Sequence, residues 1–314
     1  MAPQLTPSQA RIIDPVLSTH ALGYRQPNLI ARQLFPLAPV AMYGGQVIEF
    51  GKEAFKLYGS KRAPGTETKR IRFGYQGKPY AIVPSALEAA VPRELMQDAR
   101  VVPGIDLGVR AVNTVLRSLN LEHEYNCAQL ARGASNYDSN HKLALSGTST
   151  WTGAASDPVA DVTAGREAIR ASTGVYPNTI EISATAFSAL QSNAKILDRI
   201  KYTGRDSVTT AILANLFQIQ NVLIGEAMVA DASDAFGDVW GDDVILANTN
   251  VSANPNVEEP SFAYTYVMQG HPFVEKPYWS DGSKSWIYGV SFDNQPVLSG
   301  ITSGFLITGA GTAQ

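Results

Sequence analysis

Asp231, Asp234, Asp238, Asp242 and Asp243 fall within thirteen residues, the densest run of carboxylates in the 314-residue chain. Carboxylates so close together could share a cation or divide acid and base work. A calcium loop needs alternating oxygen ligands, a glycine at its sixth position and a glutamate at its twelfth. Counting from Asp231, those positions hold Phe236 and Asp242, so the pattern fails. Acid–base catalysis needs a partner group in a cleft, which a sequence does not show. Gly237 and Gly241 give the segment turns, and a solvated hairpin loop is the simpler reading. In "VWGDDVILA" (Val239–Ala247), Asp242 and Asp243 then form the polar turn before a strand, with Trp240 packing beneath.

The other reactive side chains are scattered. No two of His20, His123, His141 and His271 are three or four residues apart, and Glu122-His123-Glu124 lacks the second histidine of a zinc-protease helix. There is no phosphate-binding glycine loop ending in Lys-Ser/Thr and no G-x-S-x-G elbow, so Ser146-Gly147-Thr148 reads as plain loop. Cys127 is the single cysteine; it rules out an intrachain disulfide and reads as a buried structural thiol. The sequence therefore assigns no catalytic, metal or cofactor residue, and no enzyme is expected.

Charge is distributed unevenly. Lys52, Lys56, Lys61, Arg62, Lys69, Arg70, Arg72 and Lys78 face only Glu53 and Glu67 in the same stretch, a net of +6. From Asp206 to Asp293, twelve acids, Glu258 and Glu259 among them, oppose Lys276 and Lys284, a net of −10. The whole chain carries −3, which argues against a protein whose main task is gripping nucleic acid. Phe55, Tyr58, Phe73, Tyr75 and Tyr80 interleave with the basic residues. Such a ribbon could stack on a single strand or lie on acidic surface of a second copy. Asp231, Asp234, Asp238, Glu258 and Glu259 are the acidic residues expected at that contact.

The elements that would position these groups follow from periodicity. Residues 1–45 read as an arm, broken by Pro3, Pro7, Pro15, Pro27, Pro36 and Pro39 and studded with isolated apolar anchors. Residues 46–91 alternate with period two in "VIEF", "AFKLYG" and "RIRFGYQ" around a Pro64-Gly65 turn, predicting a long two-stranded hairpin. Ile105, Val109, Val112, Leu116 and Leu119 draw one stripe on a helix over 103–133, a rod of roughly 40 Å. After the Ser/Gly/Asn/Thr-rich loop at 136–158, helices and strands alternate to about residue 250. In the last 55 residues, Phe262, Tyr264, Tyr266 and Met268, and then Trp286, Tyr288, Val290 and Phe292, alternate as strands of an aromatic-faced sheet. Mean hydropathy is −0.07, no apolar run reaches the ~20 residues of a membrane span, and the opening sixteen residues lack signal-peptide character. The Asn250 sequon is therefore read as chance.

This order of parts resembles the major capsid proteins of tailed bacteriophages, with the α+β Hong Kong 97-type fold. Seven stretches are similar to that family and occur in its order. They are "RAPG" (Arg62–Gly65), "VPRE" (Val91–Glu94), "SDP" (Ser156–Pro158), "PNTIEIS" (Pro177–Ser183), "DRIKYT" (Asp198–Thr203), "LANLFQIQNVLIGEA" (Leu213–Ala227) and "VWGDDVILA". The resemblance implies an N-terminal arm (1–45), an extended loop (46–90) and a peripheral domain (91–155) with its spine helix. An axial domain (156–255) and a return to the peripheral sheet (256–314) follow. It implies self-assembly through pentamers and hexamers, in the host bacterial cytoplasm, into a virion shell around double-stranded DNA. Portal and scaffolding proteins are the implied partners, a decoration protein is left open, and no membrane is involved. Because the chain opens on the arm, scaffolding is expected from another protein or from a segment already cleaved. Some members cross-link a hairpin lysine to an asparagine near the C-terminus; Asn294 is available, but nothing singles it out. An encapsulin-like compartment shell and a hydrolase built on the aspartates are the alternatives.

Overall fold

The computed structural model describes residues 13–24, 26, 28–46, 61, 79–99, 106–201, 207–231, 233–249 and 261–312. The chain begins with helices α1 (Pro15–Gly23) and α2 (Ala31–Leu34) and strands β1 (Leu37–Val40), β2 (Gly44–Gln46), β3 (Pro79–Ala81) and β4 (Ala86–Pro92). Helices α3 (Arg93–Ala99) and α4 (Leu107–Arg132) lead to strand β5 (Lys142–Ala144). Then come α5 (Pro158–Thr173), β6 (Thr179–Ser183), α6 (Ala184–Ser192), α7 (Ala194–Ile200), α8 (Thr210–Phe217), β7 (Asn221–Gly225), β8 (Met228–Ala230), β9 (Phe236–Asp238) and β10 (Val244–Ala247). The chain closes with β11 (Ala263–Met268), β12 (Phe273–Val274), β13 (Tyr278–Ser280), β14 (Ser285–Ser291), β15 (Asn294–Leu298) and β16 (Gly304–Thr308).

Helix α4 is the axis on which the rest is hung. Asp106 caps its start, its carboxylate accepting from the Gly108 and Val109 amides at 2.9 and 3.1 Å. Its first half packs Ala111, Val112, Val115, Leu116 and Leu119 against Val91, Val267, Val274, Tyr288, Val290 and Phe292. Its second half packs Cys127, Ala128 and Ala131 into a different core, with Leu34, Phe35, Trp240, Ile245 and Leu306. Between the two, Asn120, His123 and Glu124 stay on the buried face. Of the predicted stripe, Val112, Leu116 and Leu119 are buried, Val109 is half-buried and Ile105 lies outside the described residues; the stripe continues through polar residues.

The α/β lobe is built on a sheet of order β5-β16-β10-β6-β7. β6 and β7 run parallel, while β10 is antiparallel to both β6 and β16. Every residue of β6 and β10 is buried, because both faces of the sheet are covered. Ile180, Ile182, Val244, Leu246, Phe305 and Ile307 face Trp151 and the helices α5 to α8. Ile245, Ala247 and Leu306 face the α4 side with Leu223. Helix α5 starts at Pro158 behind an Asp157 cap and ends on Gly174, whose φ of 76° is easy only for glycine. At Gly165 a Cβ would lie 2.8 Å from the Phe305 ring, so glycine lets α5 approach the sheet.

The arm and the last 55 residues differ from the sequence expectation. Asp14 caps a nine-residue helix at Pro15, where a proline costs nothing because the first turn has spare amides. The aromatic stretches do not share one closing sheet. β11 lies between β1 and β15, whereas β14 pairs with β4, β12 and β13, and β16 joins the five-stranded sheet. Tyr264 and Tyr266 face Ala38 and Ile82. Tyr288, Val290 and Phe292 face α4, and Trp286 remains 38% exposed. Tyr264, Tyr266 and Met268 share a face as predicted, and so do Tyr288, Val290 and Phe292, but Phe262 packs in a different core and Trp286 is partly exposed; β11 pairs with β15 on one side and with β1 on the other, Leu37 opposite Thr265. Period two cannot encode a partner more than two hundred residues away.

Leu116→Ala should empty a filled site under α4 and cost about 2–5 kcal/mol. The urea midpoint should fall with an unchanged slope.

Candidate assembly surfaces and the joint behind them

The five aspartates separate into two groups. Asp231, Asp234 and Asp238 belong to the two-stranded β8–β9 hairpin, which is a sheet of its own. The Asp231 carboxylate accepts from the Ser233 amide and hydroxyl at 2.7 and 2.6 Å and from the Ala235 amide at 3.0 Å. These bonds, the Ser233 hydroxyl foremost, hold its pKa below the usual value. Asp234 takes the left-handed conformation at φ 60°. Met228 is opposite Asp238, and Ala230 is opposite Phe236. Phe236 is 73% exposed and Met228 48%, while Val229 tucks against the core behind.

Asp242 and Asp243 follow the other end of the hairpin, Asp242 half-buried and Asp243 buried. Asp242 accepts from the Thr312 hydroxyl, and its carbonyl accepts from the Gly311 amide at 2.9 Å. Asp243 is not the solvated turn residue that the sequence suggests. It is buried, accepting from Arg132 Nε at 2.7 Å and from the Gly309 amide at 3.1 Å. Arg132 also donates to the Val239 carbonyl at 3.2 Å. Trp240 is fully buried beneath the turn, as its neighbours in sequence predict.

Behind the hairpin lies a polar joint that the sequence reading misses. Glu124 Oε1 accepts from the Ile30 amide at 3.0 Å and from Trp240 Nε1 at 2.8 Å, and Oε2 accepts from the Ala31 amide at 2.8 Å. One carboxylate of α4 thus holds the start of α2 and the turn before β10. Nearby, Arg32 donates to Asn120 Oδ1 at 2.9 Å. His123 Nε2 meets Thr265 Oγ1 at 2.9 Å, and burial pushes its pKa down to about 3, keeping the ring neutral. Glu181 is completely buried, and neither of its carboxyl oxygens meets a donor among the described residues. Burial first, and then Asp243 and Glu124, hold its pKa well above the ordinary range, against the pull of Arg132. At Gly225 a Cβ would lie 2.7 Å from Glu181 Oε1 and 2.5 Å from the Trp240 ring, so only glycine fits beside the pair. The α4 residues were findable: 119, 120, 123, 124, 127, 128 and 131 continue the stripe at spacings of three and four. Glu181, between two isoleucines, looks like the solvent face of a half-covered strand until the second covering layer is known.

Among the acidic contact residues predicted from sequence, Glu258 and Glu259 lie outside the described residues. So do Lys52, Lys56, Arg62, Lys69, Arg70, Arg72 and Lys78, while Lys61 is exposed. The root of their hairpin is described. β2 pairs with β3, and Tyr80 stacks on Tyr266 at 4.3 Å. Asp293 clamps both sides of that root, accepting from the Tyr43 hydroxyl at 2.8 Å and the Ser85 amide at 3.0 Å. Among the described residues no group of His, Cys, Asp and Glu is arranged to hold a metal, and no helix is long and apolar enough to cross a membrane.

Comparison with known proteins decides what this architecture belongs to. The major capsid protein of Burkholderia phage BcepMu is 33% identical over 305 residues, covering 96% of this chain and 98% of its own. The chain belongs to the major capsid proteins of bacteriophages. A crystal structure of a phage-related protein from Bordetella bronchiseptica RB50 is 54% identical, with a TM-score of 0.86 over 98% of this chain and all of its own. The capsid of cyanophage P-SCSP1u shares the fold at 10% identity, with a TM-score of 0.55 over 98% of this chain and 92% of its own. No protein-family model matches the chain. The resemblance read from sequence is thereby established at the level of family and of a mixed α/β capsid fold.

Glu181 makes folding sensitive to alkali. A carboxyl whose folded pKa is raised binds its proton more tightly in the native state. Its contribution is complete below the unfolded value near 4.5 and is lost as pH rises toward the folded value, by up to about 1.4 kcal/mol per pH unit. Glu181→Gln keeps the shape without the proton. Its melting temperature should exceed that of the wild type by a margin that opens as pH rises above the unfolded value near 4.5, and converge with it near pH 4.

Proposed function

We propose that copies of this chain assemble through pentamers and hexamers into the icosahedral head of a virion that encloses packaged double-stranded DNA. The observation that carries this reading is the match to a phage major capsid protein along almost the whole of both chains. In this reading residues 1–45 are the arm that reaches neighbouring copies, and 46–90 are the extended loop that lies over one of them. The peripheral domain takes 91–155, with α4 as its spine, and 256–314 return to it. The five-stranded sheet draws β5 and β16 from those two stretches, so the axial lobe is completed from outside 156–255. Portal and scaffolding proteins are the expected partners, DNA is contacted without sequence preference, and assembly takes place in the host cytoplasm.

The charge asymmetry gives the contact a direction. The +6 hairpin of one copy lies on acidic surface of the next, so Lys52, Lys56, Lys61, Arg62, Lys69, Arg70, Arg72 and Lys78 meet Asp231, Asp234, Asp238, Glu258 and Glu259. Single exposed pairs are worth about 0–1 kcal/mol. Their weight comes from repetition and from steering copies into register. A head-to-tail contact of this kind closes into rings.

Negative-stain microscopy of the purified protein should show closed particles or capsomer-sized rings. A monodisperse monomer or dimer that persists when candidate scaffold is added would overturn the reading. Reversing charge at Lys69, Arg70 and Arg72 should slow assembly followed by light scattering and flatten its salt dependence. An unchanged rate and salt response would remove the hairpin from the contact.

A further inference from the structure

The root of the basic hairpin is held by polar bonds as much as by packing. Tyr80 and Ile82 pack on Tyr264 and Tyr266, but Met42, Tyr43 and Val83 are exposed. Val83 and Ser85 share the walls of a groove of about 460 Å³ with Asn294 and with Glu122, Asn126 and Gln129 of α4. The root therefore has open space beside it. The Ile82 amide donates to the Tyr43 carbonyl at 2.7 Å, and the Phe292 amide donates to the Ser85 carbonyl at 2.8 Å. The Asp293 carboxylate then ties Tyr43 to Ser85 across the two sides.

His271 fixes the backbone from which that carboxylate hangs. Its Nδ1 accepts from the Asp293 amide at 3.0 Å, so the proton of the neutral ring sits on Nε2. Nε2 lies 3.8 Å from Asp293 Oδ2, the same oxygen that takes the Tyr43 hydroxyl. A second proton has one place to go, Nδ1. There it faces the Asp293 amide, donor against donor. Either the ring turns or the Asp293 backbone shifts, and both displace the carboxylate. The charged ring also draws Oδ2 away from Tyr43.

The surroundings of the ring set the direction of the effect. Asp293, just past β14, is the charged group that acts on it, and Tyr43 reaches it through Asp293. β12 contributes Phe273, edge-on at 4.6 Å, while Glu275 beyond it is turned to the Ser291 hydroxyl at 2.8 Å. The end of β11 contributes the Met268 carbonyl, which takes the His271 amide at 3.1 Å. Burial lowers the pKa of the ring, with Asp293 and the Ser291 backbone pulling the other way. The folded value thus lies below the ordinary 6.5. The closed root is fully favoured above 6.5 and loses ground as pH falls toward the folded value.

We propose that His271 is an acid-sensitive latch on this root. Protonation at Nδ1 expels the Asp293 amide, Asp293 lets go of Tyr43 and Ser85, and β2 and β3 are freed to move beside the groove. The shell reading lays this hairpin over a neighbouring copy, and the consequence for that contact rests on it. The latch itself belongs to the single chain.

Hydrogen exchange over residues 80–86 of the whole chain, read by mass spectrometry, tests it. Corrected for intrinsic exchange, protection there should fall between pH 7.5 and pH 5.5, by at most about tenfold, while α4 keeps its own. His271→Gln assigns the step, because a glutamine oxygen can accept from the Asp293 amide and does not titrate. Its protection should stay flat over the same range. Tyr43→Phe removes one arm of the clamp and should lower protection already at pH 7.5. Unchanged wild-type protection would overturn the latch whether or not either variant folds. So would a fall shared by α4, which is general acid unfolding, or a step that survives in His271→Gln and so belongs to another histidine. None of these outcomes touches the shell reading, which microscopy decides separately.

Discussion

Glu124 carries a carboxylate from the middle of α4 into the interior, and the Ile30 amide, the Ala31 amide and the Trp240 indole close on it. Those donors come from opposite ends of the chain. Two are orphan amides at the start of α2, where a negative charge is favoured in any case. The third fixes the tryptophan on which the turn before β10 rests. Through this one acceptor helix α2, the long helix and the α/β lobe share a joint, and the β8–β9 hairpin lies beyond it.

The joint is costly for a core. Glu181 and Asp243 gather around Arg132, with Glu124 close enough to Glu181 to act on it, and carboxylates so close cannot all be ionised cheaply away from water. The structure resolves this unequally. Burial raises the pKa of all three, but Arg132 at 2.7 Å pulls against it at Asp243 and three donors do so at Glu124, whereas Glu181 meets no donor among the described residues and is raised furthest, toward its neutral form. Leucine-like packing at these positions would be easier to fold, but it would hold two sliding surfaces together without specifying their register. Charge-assisted bonds to particular amides specify it.

The surface shows the opposite economy. Val16, Met42, Val83, Leu95, Met228 and Phe236 remain exposed on an isolated copy, on α1, around the root of the basic hairpin, on α3 and on the acidic hairpin. Apolar area rimmed by charge is the composition of protein–protein interfaces in general, where the charge decides which partner surface is met.

Much of this was legible in the amino-acid order. The α4 stripe, the proline-started α5 with its glycine stop, the isoleucine-flanked β6 and the alternation of β11 and β14 are local patterns, and local sterics and period fix them. The family was legible too, because "PNTIEIS", "LANLFQIQNVLIGEA" and "VWGDDVILA" are strands and helices of one sheet in a fixed order. What the sequence could not settle was which strands pair across hundreds of residues, and so which faces are covered twice. β16 slots between β5 and β10, and β1 lies beside β11. Only that non-local pairing turns Glu181 from a solvent-facing residue into a buried acid, and Asp243 from a turn aspartate into the partner of Arg132. Burial belongs to the assembled layers and to no single segment, so the charges that depend on it were decided by the tertiary structure.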